Sequence, residues 1–150
     1  MITISANSKS VGDTKKIAKI FLDKILKDKN SRESALIVCL FGDLGAGKTA
    51  FTKAVAKHLG IKSTVNSPTF VIMKKYPLRL KKYKFFFHLD AYRLKNGKEL
   101  LYLGWENIIS NKNHLVFIEW PENVIKVLPS KVVQVFISSE KNNSRNFNIK

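Results

Sequence analysis

The chain has 150 residues, with 27 Lys and Arg against 11 Asp and Glu, and a formal net charge of +16. That length carries one domain, residues 1–150, with a core large enough to need no disulfide or metal staple. Its one cysteine, Cys39, excludes an internal disulfide framework and reads as a buried thiol within "ALIVCLF". No apolar run reaches bilayer length and the start "MITISANSKS" lacks a signal-type apolar core, so the expectation is a soluble, cytoplasmic protein without a membrane segment. The charge favours acidic partners, nucleic acid among them. It equally fits an A/T-rich coding bias, because lysines far outnumber arginines and asparagines are common.

The elements follow in chain order. Residues 10–29 place Val11, Ile17, Ile20, Phe21, Leu22 and Ile25 near one face at helical spacing, with Ser10 or Asp13 as the cap. "ALIVCLF" is a continuous apolar run ended by glycine, as in a strand buried on both faces. Residues 48–59 read as a helix that stops at Gly60. Pro68 marks a loop. "TFVIMKKY" and "YKFFFHLD" then read as two strands of a long hairpin closed by "PLRLKK". Residues 98–110 suggest a helix broken near Gly104, and "HLVFIE" a further buried strand ending on an acid. "KVVQVFISS" and "SRNFNIK" close the chain as a hairpin around "EKNN". Alternating strands and helices followed by hairpins predict an α/β three-layer sandwich with a sheet partly parallel and partly antiparallel.

"GDLGAGKT", Gly42 to Thr49, has the spacing G-x-x-x-x-G-K-[ST]. Such a loop curls so that successive backbone N–H groups point at phosphate oxygens. The helix behind it adds free amides and the positive end of its dipole. Lys48 supplies a charge for the β and γ phosphates and Thr49 a hydroxyl for Mg²⁺. The nucleotide-binding set then runs through Asp43, Leu44, Gly45, Ala46, Gly47, Lys48, Thr49 and Ala50.

A magnesium nucleotide site also needs acids at strand ends. Asp90 follows "FFFHL" and Glu119 follows "HLVFI", at the sheet edge where the phosphate loop lies. With Thr49 they form the candidate metal set; with Lys48 they form the candidate catalytic set, Glu119 orienting or deprotonating a water. In "NSPTF", Ser67 and Thr69 are candidates to sense the γ-phosphate, or an ordinary proline turn. Trp120 either stacks on a base or partner or rims the core. His88 reads as an internal histidine, with no second ligand at zinc spacing. The basic stretch 74–84, "KKYPLRLKKYK", is either an RNA- or acid-binding surface or a solvated hairpin tip.

Taken together, "GDLGAGKT", "SPTF", "HLDAYRL", "LLYLGWEN" and "IEWPE" resemble, in order, the blocks of the TsaE (formerly YjeE) family. These are small bacterial P-loop ATPases of the pathway to threonylcarbamoyl-adenosine in tRNA. The resemblance implies a P-loop NTPase-like fold, binding of ATP or ADP with Mg²⁺, slow hydrolysis alone, and work with the TsaD and TsaB proteins on tRNA. It carries the family's loop pair onto Lys48 and Thr49, its Mg²⁺-associated Asp onto Asp90, its Glu-Trp pair onto Glu119 and Trp120, and its switch loop onto Ser67 and Thr69. It puts Ser10 and Val11 on the adenine side and Arg145 near the nucleotide. Ala91 stands where many members carry a larger apolar residue, and the hairpin tip is unusually basic. No arginine finger stands at a fixed spacing; Arg93 is a candidate, or a partner supplies the charge. The rival readings are a small-molecule P-loop kinase and a nucleotide-gated RNA-binding module.

Overall fold

The computed structural model describes residues 2–63, 65 and 71–150. The chain runs β1 (Ile4–Ser8), α1 (Val11–Lys27), β2 (Leu36–Phe41), α2 (Lys48–His58), β3 (Met73–Pro77), β4 (Phe85–Asp90), α3 (Lys98–Tyr102), α4 (Trp105–Ile109), β5 (His114–Glu119), β6 (Val133–Ser139) and β7 (Arg145–Ile149), with a 3₁₀ segment at Pro121–Val127. The seven strands form one sheet in the order β1-β7-β6-β2-β5-β4-β3. The central four, β6-β2-β5-β4, are parallel, and β7, β1 and β3 join antiparallel at the flanks. This is the mixed-sheet α/β sandwich expected from the sequence.

The apolar patterning explains which strands lie where. Leu36, Val38 and Leu40 of β2 face a core with α1 and α2, while Ile37 and Cys39 face a second core with α3, α4 and the 3₁₀ segment. A strand covered on both sides has no polar face, hence the unbroken run. In β6 and β7, Val135, Ile137, Phe147 and Ile149 are buried, whereas Phe136, Ser138, Asn146 and Asn148 face outward. Only one side of that flank is packed, so the sequence alternates.

The main core is aromatic. Phe51 of α2 lies 5.6 Å from Phe21 of α1, 5.5 Å from Phe147 of β7 and 6.4 Å from Phe117 of β5, centroid to centroid. It therefore locks the helix that follows the phosphate loop to the sheet and to its neighbouring helix.

Three local features depart from the sequence-based expectation, and one choice it left open, the cap of α1, is decided. β1 was not expected; it pairs along β7 from Ile4↔Ile149 to Ser8↔Arg145. Val11 and Ile20 do not belong to the apolar face of α1: they are 72% and 51% exposed. The buried stripe is Thr14, Ile17, Ala18, Phe21, Leu22 and Ile25, because packing against β1 and α2 rotates the helix slightly from its purely apolar arc. Ser10 is the cap, accepting from the Asp13 amide at 3.1 Å, while Asp13 accepts from the Lys9 amide at 3.0 Å. Finally, β3 starts at Met73, later than the run "TFVIMKKY" suggested, with Val71 and Ile72 in a bend and Thr69 and Phe70 outside the described residues.

The hairpin between β3 and β4 uses several of its cations internally. Lys82 Nζ donates to the carbonyls of Ile25 and Asp28 at the end of α1, where the helix dipole and open carbonyls favour a cation. Lys84 Nζ donates to Leu80 O at 2.9 Å, and Lys75 Nζ lies 4.0 Å from the Phe85 ring centroid. The break expected near Gly104 is present: Gly104 (φ 78°) separates α3 from α4, and Trp105 Nε1 donates to Val127 O at 3.0 Å.

Two outcomes follow from this packing. Phe51→Ala is expected to cost about 3–5 kcal/mol in urea unfolding, since it empties the ring contacts of α2. Cys39 is fully buried and its thiol is pushed up to about 12 by burial, so it is expected to stay unreacted with a thiol reagent at pH 8 until denaturant is added.

Candidate nucleotide site

β2 ends at Phe41 and the chain turns through Gly42, Gly45 and Gly47 at φ +153°, +80° and +113°. Two of these glycines answer a steric need. A Cβ on Gly42 would stand 2.5 Å from the Ile137 carbonyl of β6, and one on Gly47 would stand 2.7 Å from Arg145 Nη1. Between them the Ala46 amide bonds Asp43 O at 3.0 Å, Ala46 is buried and Leu44 is exposed. Gly47 caps α2 without any side-chain bond to the helix amides. The first turn of α2 thus keeps its donors for a ligand.

Lys48 is 5% exposed. Its Nζ donates to the carbonyls of Gly42 and Asp43 and lies 3.9 Å from the centroid of the Trp120 ring. Burial holds its ammonium below the usual lysine range, opposed by the negative field of Glu119, Glu122, Asp90 and Asp43. A cation held by carbonyls and an aromatic face is desolvated and aimed along the loop.

The acids come from neighbouring parallel strands. Asp90 ends β4 and Glu119 ends β5, and the two are register partners. Asp90 Oδ1 accepts from the Tyr92 amide at 2.9 Å, which fixes the turn after β4. Glu119 is 3% exposed; both of its oxygens lie 3.0 Å from the Thr49 hydroxyl of α2, and Oε1 lies 2.8 Å from His88 Nε2 of β4. Thr49 and Glu119 therefore meet at the start of α2 with Asp90 on the adjacent strand. Two carboxylates and a hydroxyl are a hard oxygen set of the kind Mg²⁺ prefers, and the glycine cradle stands beside it. The residues present fit a magnesium nucleotide.

The other candidates divide. A cavity of about 450 Å³ beside the loop is lined by Ser10, Val11, Ala50 and Arg145, with Lys53 and Lys57 of α2. It has room for a nucleoside next to the first turn of α2, so exposure of Val11 is what brings it to this wall. Arg145, at the start of β7, points Nη2 toward Gly45 O at 3.5 Å. Trp120 is not part of that wall; it sits at φ 58°, ψ 48° over Lys48, 4.9 Å from the Tyr92 ring. Arg93 lines a separate cleft with Asp90, Tyr92 and Tyr102. Ser67 and Thr69 lie outside the described residues.

Three residues take roles at the site that the sequence does not give them. His88, read from the sequence as an internal histidine, is indeed fully buried, and its partner is Glu119. Asn123 donates to the carbonyls of Ala91 at 2.8 Å and Tyr92 at 3.2 Å, tying the turn after β4 to the segment after β5. Tyr92 itself buttresses Trp120. The acid two places after His88, and the Asn two places after "WP", were the available signals; neither residue type specifies such a bond by spacing alone.

Among known proteins, the family model described as threonylcarbamoyl adenosine biosynthesis protein TsaE matches residues 8–147. A relative from Rickettsia prowazekii, named tRNA threonylcarbamoyladenosine biosynthesis protein TsaE, is 36% identical over 93% of this chain and 88% of its own length. The protein of the same name from Haemophilus influenzae is 35% identical over 82% of this chain and 72% of its own. The crystal structure of YdiB from Bacillus subtilis superposes with a TM-score of 0.74 at 26% identity, covering 99% of this chain and 84% of that one. Among the described residues no helix is long and apolar enough to cross a membrane. With the mixed-sheet, P-loop NTPase-like architecture and the family match over nearly the whole chain, this protein belongs to the TsaE family of tRNA threonylcarbamoyladenosine biosynthesis proteins.

Proposed function

We propose that the protein is a Mg²⁺-dependent ATPase that binds ATP or ADP at the loop 42–49 and acts on a TsaD–TsaB complex in the cytoplasm during tRNA threonylcarbamoyladenosine formation. The observation that carries the reading is the bond of Thr49 to buried Glu119 at the first turn of α2, with buried Lys48 in the same turn and Asp90 alongside. A bare glycine turn would not bury a lysine and a carboxylate together, because unpaired charges inside a fold are costly.

In this reading the loop amides from Asp43 to Ala50 bind the phosphates. Lys48 exchanges its carbonyl partners for the β and γ phosphates and offsets the charge that develops there. Thr49 and Asp90 hold Mg²⁺ with Glu119 close by, and the bound ion supplies charge neutralisation on the phosphate oxygens. Glu119 orients the attacking water as an acceptor. Ser10, Val11 and Arg145 line the nucleoside side, Trp120 closes the phosphate side over Lys48, and Ser67 and Thr69 belong to the switch loop. The +16 charge supports a second role in attracting tRNA, although Lys75, Lys82 and Lys84 of the basic hairpin are engaged within the fold.

Arg145 reaches the loop at Gly45 and Gly47 and Arg93 lines the cleft with Asp90; in this reading the finger that completes the phosphate site comes from a partner. A finger supplied by a partner is worth about 10³–10⁵ in rate. Turnover by the isolated protein is therefore expected to be slow, and faster with TsaD and TsaB; equal phosphate release with and without them would remove the motor role. Lys48→Ala is expected to weaken ADP binding about 10–100-fold, the equivalent of the roughly 1.5–3 kcal/mol of hydrogen bonds to a charged group. The titration can follow Trp120 fluorescence, with Trp120→Phe as the control for the buried Trp105. Glu119→Gln should bind nucleotide as the parent does while hydrolysis falls by about 10²–10⁴; an active Glu119→Gln enzyme takes the water-orienting role away from Glu119.

A further inference from the structure

His88 is the one fully buried histidine that reaches the candidate site. It stands on β4, cross-strand from Phe117 of β5 and two residues before Asp90, on the sheet face that carries α1 and α2. Its Nε2 is 2.8 Å from Glu119 Oε1, and among the described residues its Nδ1 is buried without a hydrogen-bond partner. An ionised carboxylate only accepts, so Nε2 carries the hydrogen of this bond. The empty Nδ1 agrees with that tautomer, because a second N–H buried without an acceptor would be costly.

A histidine placed only for packing would need no polar partner, and a phenylalanine like its neighbours Phe86 and Phe117 would fill the space. Instead the ring spends its one donor on the most buried carboxylate of the site. Glu119 is then gripped from two directions. Thr49 approaches from the first turn of α2, and His88 from the middle of a sheet strand. The Thr49 hydroxyl is also the group a bound cation would claim. The His88 bond does not depend on ligand, and it comes from a rigid element.

We propose that His88 is a positioning residue for Glu119: its Nε2–H holds the carboxylate in the orientation that faces Thr49, so that Glu119 is preset for the water before nucleotide arrives. This rests on the ATPase reading for its kinetic consequence, but not for the hydrogen bond itself. Loss of the donor leaves the loop, Lys48 and the nucleoside cavity untouched. The effect therefore falls on turnover rather than on nucleotide affinity.

The test compares His88→Phe, which keeps the ring and removes the donor, with His88→Gln, whose side-chain amide places a donor at a similar reach. The expected result for His88→Phe is a kcat about tenfold lower, in the range seen when outer partners of a site are removed. The KM for ATP and the ADP affinity read by Trp120 fluorescence should stay within about twofold of the parent, since both depend on contacts left in place. His88→Gln should recover most of the lost turnover. A His88→Phe protein with parental kcat, or a Gln variant as slow as the Phe variant, overturns the proposal. The hydrogen bond is tested without nucleotide by long-range ¹H–¹⁵N correlation on the unmodified chain. A His88 ring protonated at Nε2, with a resonance that moves in Glu119→Gln, supports it; protonation at Nδ1 alone overturns it. That measurement judges His88 even if the parent protein releases no phosphate from ATP, or if the Phe variant does not fold. An inactive parent would instead end the ATPase reading.

Discussion

The structure turns on one buried carboxylate. Glu119 ends β5 with 3% of its surface exposed, and a charge in that position must be compensated where it lies. The compensation comes from three different parts of the chain: Thr49 in α2, His88 in β4, and the field of Lys48 at the end of the phosphate loop. No single element could supply it. The bond network is therefore a statement about register: β4 must run parallel beside β5, and α2 must lie over both.

The remaining architecture serves that placement. Parallel strands put their C-terminal ends on one edge, so Phe41, Asp90 and Glu119 all arrive where the loop begins. Two layers of helices bury both faces of the central strands, and Phe51 anchors the loop's own helix through rings from α1, β5 and β7. The antiparallel return of β7 then brings Arg145 to the loop across 100 residues of chain, and its side chain fills the space left by the missing Cβ of Gly47. β1 completes that flank and carries Ser8, whose hydroxyl meets Thr14 of α1 at 2.8 Å and holds the helix beside the cavity lined by Ser10, Val11 and Arg145.

Several elements are legible in the sequence alone. The uninterrupted run "ALIVCLF", the glycine spacing after it and the acids closing "FFFHLD" and "HLVFIE" each express a local physical demand. Other features were not legible, for identifiable reasons. β1 is five residues of weak alternation, Ile4 and Ala6 half-buried between polar neighbours, and it gains its order from pairing with the far end of the chain. The exposure of Val11 and Ile20 depends on how α1 is rotated by its neighbours, whereas the apolar residue types alone form a wider arc. The hairpin lysines read either as a binding surface or as a solvated hairpin tip, yet Lys82 serves the end of α1, a helix more than fifty residues away in the sequence.

By itself, the sequence determined the chemistry available: a glycine-rich loop with the spacing of a phosphate-binding motif, a lysine and a threonine behind it, two strand-end acids, and the family whose motif order they follow. Those are local matters of spacing, periodicity and residue type. Only the tertiary structure decided that Asp90 and Glu119 are neighbours, that Thr49 and His88 share one carboxylate, and that Arg145 closes on the loop. Hydrogen bonds act over about 3 Å, and contacts of that length between distant segments exist only once the sheet order has been set.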